Sequence, residues 1–557
     1  VAEDIGLYKF DILSQRGLGK IRDTIDMIAE DQPEVAAQID IHDMSRFKRD
    51  SKVQSMLRNA LAVGCFYVES PAMRMLMRKL QVDNYLGLVA ASSVIRPGVA
   101  RSGMMKAYIE RHRDPEKRSD AHPVLMELMP ETYGVMVYQE DVIKVAHHFA
   151  GMDLGEADVL RRGMSGKFRS REEFAKARET FILKALNKGQ KRSLVEEVWR
   201  QVESFAGYAF AKGHSASYAV ESYQSLFLKA HWPLQYMAAC INNFGGFYRT
   251  EFYVHEARMV GGRIEAPCLN RGGWEACVDA AQQRIYLGFN LVRGAQAQTM
   301  ANVIKERDAH GLYQSLEDCI ERNGIALEQC LILIRCGGFR FTGKDAKQLQ
   351  WEAHFLLGHV RKGQQEATLF TPDISRFTLP AFEHNDLEMA FDQIELFGFP
   401  LVSPFRLLTS ESARQLENAV RSEALSDCIG KTVDVIGYLV TVKETQTARR
   451  ERMAFGCFVD VEGQWIDTVH FPPSLKQYGF RGRGIYRIRG PVREEFNCLH
   501  VEALFMEKLA YISDPRYSED GMPVQEARPN NASASQRRLT IGARSGGGML
   551  KRSMRTG

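Results

Sequence analysis

No apolar run in these 557 residues approaches the roughly 20 needed to cross a membrane, so no spanning helix is expected. No Cys-x-x-Cys pair occurs. The ten cysteines stand singly, several in apolar surroundings such as Cys65, Cys240 and Cys336. That usage argues for reduced core thiols in a cytoplasmic protein rather than disulfides or a zinc site. The start, VAEDIGLYKF, has neither a basic n-region nor an apolar h-region and is not a signal peptide. It also lacks an initiator Met and runs directly into a strand-like pattern, so an upstream continuation is expected. Asp-x-Asp is absent throughout, and there is no long internal repeat.

What is present is ordinary for a large globular chain: 45% hydrophobic, 25% charged, 10% aromatic. The length suggests three or four domains. A net charge of +4 says little, but its distribution says more. Basic residues concentrate over 161–171, over 481–493 and in the tail from Gln536, with no acid after Glu526. Such stripes suit a polyanion, although each taken singly is also what a solvated helix face looks like.

Residues 5–13 alternate, with Leu7, Lys9 and Asp11 on one face, as a strand does. Gly17 and Gly19 then suggest a turn. From about 50 to 245 the apolar spacing is helical, with Gly/Pro breaks such as Arg96-Pro97-Gly98. Short helices ending at Gly294, Gly311 and Gly337-Gly338 follow. Residues 363–428, with Pro372, Pro380, Pro400 and Pro404, read as an extended connector. From 431 to 509 five short alternating stretches suit a small barrel of the OB type. Beyond about Ser513 the Ser/Gly/Asn/Arg-rich chain is expected to be disordered.

Asp11 beside Lys9 could ligate Mg²⁺ while the lysine meets a phosphate, but one carboxylate is fewer than two-metal phosphoryl transfer needs. An exposed Lys/Asp pair on an edge strand is the plain alternative. Lys212, His214 and Ser215 are polar residues of a Gly-interrupted segment between apolar helices, which reads as a loop, with a helix cap at Ser215 as its structural role. The pair His147-His148 points to different helix faces and is read as structural. In the barrel segment, aromatic and basic residues interleave (Phe455, Phe458, Trp465, Phe471, Arg481, Arg483, Tyr486), which suits single-stranded nucleic acid. Many of these rings must also be barrel core.

Several motifs then resemble one family in order. Gly6-Leu7-Tyr8-Lys9-Phe10-Asp11-Ile12-Leu13 is similar to a palm strand of bacterial C-family DNA polymerases, the DNA polymerase III alpha-subunit type. Gly64-Cys65-Phe66-Tyr67-Val68-Glu69-Ser70, Ile95-Arg96-Pro97-Gly98 and the run from Pro130 to Glu140 (PETYGVMVYQE) resemble its fingers. So do Leu160-Arg161-Arg162-Gly163-Met164, Phe205-Ala206-Gly207-Tyr208, Lys212-Gly213-His214-Ser215-Ala216-Ser217-Tyr218 and Leu228-Lys229-Ala230-His231-Trp232-Pro233.

The resemblance implies a multidomain fold, mainly α with β. Its parts would be the end of a palm over 1–20, helical fingers over 21–280 and a tandem helix-hairpin-helix region over 281–362. A connector over 363–428, an OB-fold barrel over 429–512 and a disordered basic tail over 513–557 would follow. It implies Asp11 as a Mg²⁺ ligand with Lys9 beside it, and a partner Asp-x-Asp pair upstream of Val1. Arg161, Arg162, Lys212, His214 and Ser215 would meet a deoxynucleoside triphosphate. Gly294, Arg481 and Arg483 would meet primer–template DNA, although the usual Gly-x-Gly of the hairpin is here Gly294-Ala295-Gln296. Gln365, Leu369 and Phe370 would form a sliding-clamp peptide in an imperfect register. The implied function is DNA-directed DNA polymerisation in replication or error-prone repair synthesis. The alternative is a non-catalytic DNA-binding fragment using hairpins and barrel.

Overall fold

The structure, a computed structural model, describes residues 5–7, 15–95, 103–163, 171–204, 211–358, 386–447 and 449–517. Lys9, Asp11, Gln365, Leu369 and Phe370 lie outside them, as does most of the alternating segment at 5–13. Up to about residue 260 the described chain is helical. At its centre is the twenty-residue helix Lys212–His231, buried continuously from Glu221 to Leu228 and on to Lys229. Helices Gln15–Asp31, Met44–Arg49, Ser51–Arg58, Tyr85–Val94 and Pro233–Asn242 pack around it.

A helix buried on all sides is normally apolar, yet this one carries Glu221, Ser222, Gln224, Ser225 and Lys229 inside. Lys229 Nζ donates to Glu256 Oε1 (2.7 Å), to the Val63 carbonyl (2.8 Å) and to the Leu61 carbonyl (3.1 Å). All three ammonium hydrogens are thus taken. Burial pushes the Glu256 carboxyl pKa up, but Lys229 beside it outweighs burial and holds the value below the ordinary one.

The same region pins the segment Gly64–Ser70. The Gly64 carbonyl accepts from Lys20 Nζ (3.0 Å) and the Tyr236 hydroxyl (2.9 Å). Glu69 accepts from the N–H of Gly64 (2.9 Å), the N–H of Phe247 (2.7 Å) and the Tyr253 hydroxyl (2.9 Å). Gly64 has φ +85°, and a Cβ there would press on Cys240 Sγ at 3.0 Å. Gly17 and Gly19 are not a turn, as the sequence suggests, but lie inside helix Gln15–Asp31. The reason is close approach: a Cβ on Gly17 would come within 2.0 Å of Glu221 Oε1 and 2.7 Å of the Phe66 ring.

A small sheet follows, formed by β1 (Arg263–Glu265), β2 (Cys277–Asp279) and β3 (Arg284–Tyr286) in the order β1-β3-β2. The short helices Ala297–His310, Leu316–Asn323, Leu327–Arg335 and Ala346–Leu357 then enclose a separate core around Tyr313, Leu333 and Phe339. The segment read as a patternless connector contains a helix, Asp386–Phe397. Its Asp392, buried, accepts from Arg335 Nε (2.8 Å) and from Arg516 (2.5 Å). Tertiary ion pairing thus holds a helix there.

The last module is the expected barrel. Strands β4 (Thr432–Gln446), β5 (Arg452–Val459), β6 (Trp465–His470), β7 (Ile485–Glu495) and β8 (Cys498–Glu502) pair in the order β4-β5-β6-β8-β7, and β4 pairs with β7 to close the ring. β9 (Phe505–Lys508) adds to β7. A closed ring of five strands removes the exposed edges, as in OB-type barrels. β4 bends where Gly437 passes close over Phe458, next to a register shift between Leu439 and Thr441.

The barrel is docked on the fingers. The Arg74 guanidinium lies 4.2 Å from the Trp465 ring centre, and Arg249 donates to the Leu439 and Val440 carbonyls at 3.1 and 3.2 Å. The β7–β8 turn joins in: Phe496 packs on the finger core, Glu495 pairs with Lys79, and Asn497 accepts from Arg113 at 3.1 Å.

His470, fully buried in the barrel beside Thr468 Oγ1 (2.8 Å), has its pKa lowered from 6.5 to about 4 by burial. Below 6.5 the unfolded imidazole takes up a proton that the folded one refuses until about pH 4. Stability is therefore lost as pH falls through that window, by up to about 3 kcal/mol. Urea unfolding of wild type and His470→Asn between pH 7 and 4.5 should show a gap in stability that narrows or reverses as pH falls. A gap independent of pH would place the titration elsewhere.

Candidate functional site

Three sequence-distant motifs meet on one face of the fingers. In Pro130–Glu140 the backbone turns through Tyr133 (φ +55°) and Gly134 (φ +72°). The buried Asp141 carboxylate then accepts from the N–H groups of Val137 and Tyr138, both at 2.9 Å, and starts helix Gln139–Lys144. Burial raises the Asp141 pKa, against the pull of those two donors.

The first two residues of that helix reach in different directions. Gln139 Oε1 accepts from Arg161 (3.3 Å), and both Glu140 oxygens accept the Lys212 N–H (3.1 Å each). Arg161 and Arg162 share one carboxylate, that of Asp158, at 2.9 and 3.0 Å. Lys212 Nζ pairs with Glu131 and lies 5.4 Å from the Tyr138 ring centre. The structure therefore links Arg161 through Gln139, and the backbone of Lys212 through Glu140, to one helix, with Arg162 beside Arg161 on Asp158. Gln139 and Glu140 stood in the quoted motif without being singled out, because nothing in a linear pattern shows what a carboxylate faces.

The segment 212–215 is not a loop. It is the first turn of helix Lys212–His231, and Ala211 at its N-cap makes no side-chain cap bond. Glu140, from another helix, supplies the carboxylate such an N-terminus favours. The His214 ring lies against Tyr218 at 4.1 Å. Ser215 is fully buried and bonded to Ser93 at 2.8 Å, so it neither caps the helix nor faces a ligand.

In the hairpin region Gly294 has φ +87°, but the backbone about it is occupied. The Gln329 side chain accepts the Gln296 N–H (2.9 Å) and donates to the Gly294 carbonyl (2.9 Å), and the Arg293 N–H is taken by Leu396. A backbone N–H so engaged is not offered to a phosphate, which favours this hairpin as scaffold.

On the barrel, Phe458 and Tyr486 are core and Trp465 faces Arg74. Phe455 and Phe471 are exposed. Of the basic stripe, Arg483 is tied to Glu251 at 2.7 Å, Arg487 and Arg489 to Asp434, and Arg493 to Glu502; Arg481 is exposed. Arg483, expected as a DNA contact, stands at the barrel–finger joint, where its cation pairs with Glu251. Arg449 and Arg450 at the β4–β5 tip are exposed. Their adjacency was the available signal, overlooked beside the longer stripe.

Among the described residues no group of three His, Cys, Asp or Glu is placed to hold a metal ion, and no helix is long and apolar enough to cross a membrane.

A family model described as the bacterial DNA polymerase III alpha subunit finger domain matches residues 17–189, and a helix-hairpin-helix motif model matches 261–349. The fold is thus that of a finger domain followed by helix-hairpin-helix and a barrel. The chain is 34% identical over 499 residues to the DNA polymerase III subunit alpha of Buchnera aphidicola, covering 85% of this chain and 42% of that protein. The corresponding protein of Treponema pallidum is 30% identical over 498 residues, covering 86% and 41%. That of Aquifex aeolicus is 27% identical over 515 residues, covering 91% and 41%. The chain belongs to the bacterial DNA polymerase III alpha-subunit family and spans about two fifths of the length of these relatives.

Because Arg483 is held by Glu251, Arg483→Ala should act on stability. The expected loss is about 1 kcal/mol, since Glu251 keeps Arg249 and Tyr438 as partners. Urea denaturation of the purified chain measures it, and an unchanged midpoint would show the pair to be solvated.

Proposed function

We propose that this chain provides the nucleotide-binding fingers and DNA-holding modules of a DNA-directed DNA polymerase, acting in replication or repair synthesis. The observation that carries this reading is that helix Gln139–Lys144 joins the two basic elements: Gln139 accepts from Arg161, which shares Asp158 with Arg162, and Glu140 accepts the backbone N–H of Lys212. Each of these cations rests on a carboxylate at the protein surface, Asp158 or Glu131. A triphosphate would exchange those partners for its own oxygens, which a guanidinium fork binds bidentately. The reaction would be attack of a primer 3′-hydroxyl on the α-phosphate, with the fingers orienting the nucleotide and stabilising the charge that develops. Asp11 is proposed as one ligand of a divalent ion, Mg²⁺, which would neutralise phosphate charge; no described residue joins it. Gln365, Leu369 and Phe370 remain a proposed clamp-binding peptide.

Primer–template DNA is the proposed partner of the barrel. The β4–β5 tip, with Arg449 and Arg450, has exposed Phe455 on the same hairpin, a combination of charge and stacking surface that suits a single strand.

Two measurements test this. In single-nucleotide extension by the full-length protein, Arg161→Ala and Lys212→Ala should each reduce kcat/KM for the nucleotide by about one to two decades while primer–template Kd stays put. Unchanged nucleotide kinetics in both variants would overturn the reading. For the chain itself, fluorescence anisotropy on a labelled oligonucleotide at several salt concentrations reads the barrel. Replacing Arg449 and Arg450 together by Ala should make the log–log salt slope shallower by about 1.4, at roughly 0.7 per phosphate contact on a single strand. Equal slopes would remove the tip from the interface.

A further inference from the structure

Tyr67 has φ +67°, in the left-handed region that bulky L-residues seldom adopt. The turn is held there from both sides. Gly64 is fixed by Lys20, Tyr236 and Glu69, and Glu69 itself is fixed by Phe247 and Tyr253. Such a conformation persists only where its surroundings impose it, and these are concentrated at functional sites.

The imposed turn lays the Tyr67 ring against Tyr218, with centres 4.8 Å apart at 72°. Tyr218 in turn meets His214 at 4.1 Å, one helical turn earlier. Phe66 backs both tyrosines, at 5.9 and 5.3 Å. None of these four rings is fully buried: each is half-buried and keeps part of its surface in water. Packing alone would have hidden them, since apolar surface left in water forgoes the gain of burial. The ladder starts two residues from Lys212, on the same helix. At its other end Phe66 touches Gly17, in the helix that follows Asp11 in sequence. It thus runs from the helix that begins at Lys212 to helix Gln15–Asp31.

We propose that Tyr67, with Tyr218 and His214 behind it, is a base-stacking wall that positions the purine or pyrimidine ring of the incoming nucleotide. The inference rests on the nucleotide reading of Arg161 and Lys212 and adds the residue that recognises the base. A flat heterocycle meets the ladder by its π-face and edge, the geometry aromatic pairs favour. Stacking of this kind is tolerant of sequence, as a template-directed enzyme requires of any contact that is not base pairing.

The test uses the purified chain with two probes, dATP and inorganic tripolyphosphate. Binding is read by saturation transfer to the adenine protons and by phosphorus line width. Tyr67→Asn removes the ring and keeps a residue that tolerates the left-handed backbone, so the fold is preserved; thermal melting checks that. The expected result is a loss of dATP affinity of about tenfold, within the range for stacking one base, with tripolyphosphate affinity unchanged and Tyr67→Phe behaving as wild type. Equal losses for both probes, or no loss for dATP, would overturn the wall. Arg161→Ala is the control on the underlying reading: affinity for both probes should fall. If it does not, the phosphate assignment fails whatever Tyr67 does. Wild-type protein that takes up neither probe at millimolar concentration would overturn both.

Discussion

Charge buried among helices must find its partners inside, and in the fingers that constraint orders everything around it. Lys229 and Glu256 neutralise each other within the core, while Glu69 collects three donors and Lys20 closes on Gly64. Removing one member leaves the others unpaired in a medium of low dielectric, which costs far more than a surface contact does. The partners come from the first helix, the central helix, the two helices after it and the Gly64–Ser70 turn. None of these can shift without exposing a neighbour's charge. Helix N-termini, Arg side chains and the tip of the turn are therefore presented on a rigid frame, which is what a site that must orient a reactant needs.

The barrel follows the same rule at its surface. Its sequence looks strongly basic over 481–493, yet Arg483, Arg487, Arg489 and Arg493 are each committed to a carboxylate. A polyanion approaching the molecule meets a nearly neutral wall there, whereas among the described residues exposed cations without such a pairing stand at Arg481 and at the β4–β5 tip. Pairing, rather than the count of Lys and Arg, decides where an electrostatic footprint lies.

Periodicity in the sequence made the helical fingers and the alternating barrel strands legible, because both report which face is buried. Sequence order of the motifs likewise exposed the family. What stayed hidden depended on tertiary partners. Gly17 and Gly19 look like a turn because glycine usually marks one, but here they allow two helices to touch. Helix Asp386–Phe397 lies in a Pro-containing stretch and is held through Asp392 by Arg335 and Arg516, residues 57 and 124 positions away. The three strands over 263–286 are three residues each, too short for alternation to show. At the candidate site the arginines and Lys212 could be named, but not that Glu140 caps the helix that Lys212 begins, nor that Ser215 is sealed inside it.

The docking of barrel on fingers has a mechanical meaning. Arg74 under Trp465, Arg249 on the bend of β4 and the β7–β8 turn fasten the barrel at three separate points, which leaves it no axis about which to swing independently. The β4–β5 hairpin projects from that anchorage, about 20 Å from Val440 to Gln446 at the usual rise of a strand. It is an arm rooted in the finger helices. Because the finger helices are themselves a rigid frame, the arginines at the tip are held at a set distance and direction from them.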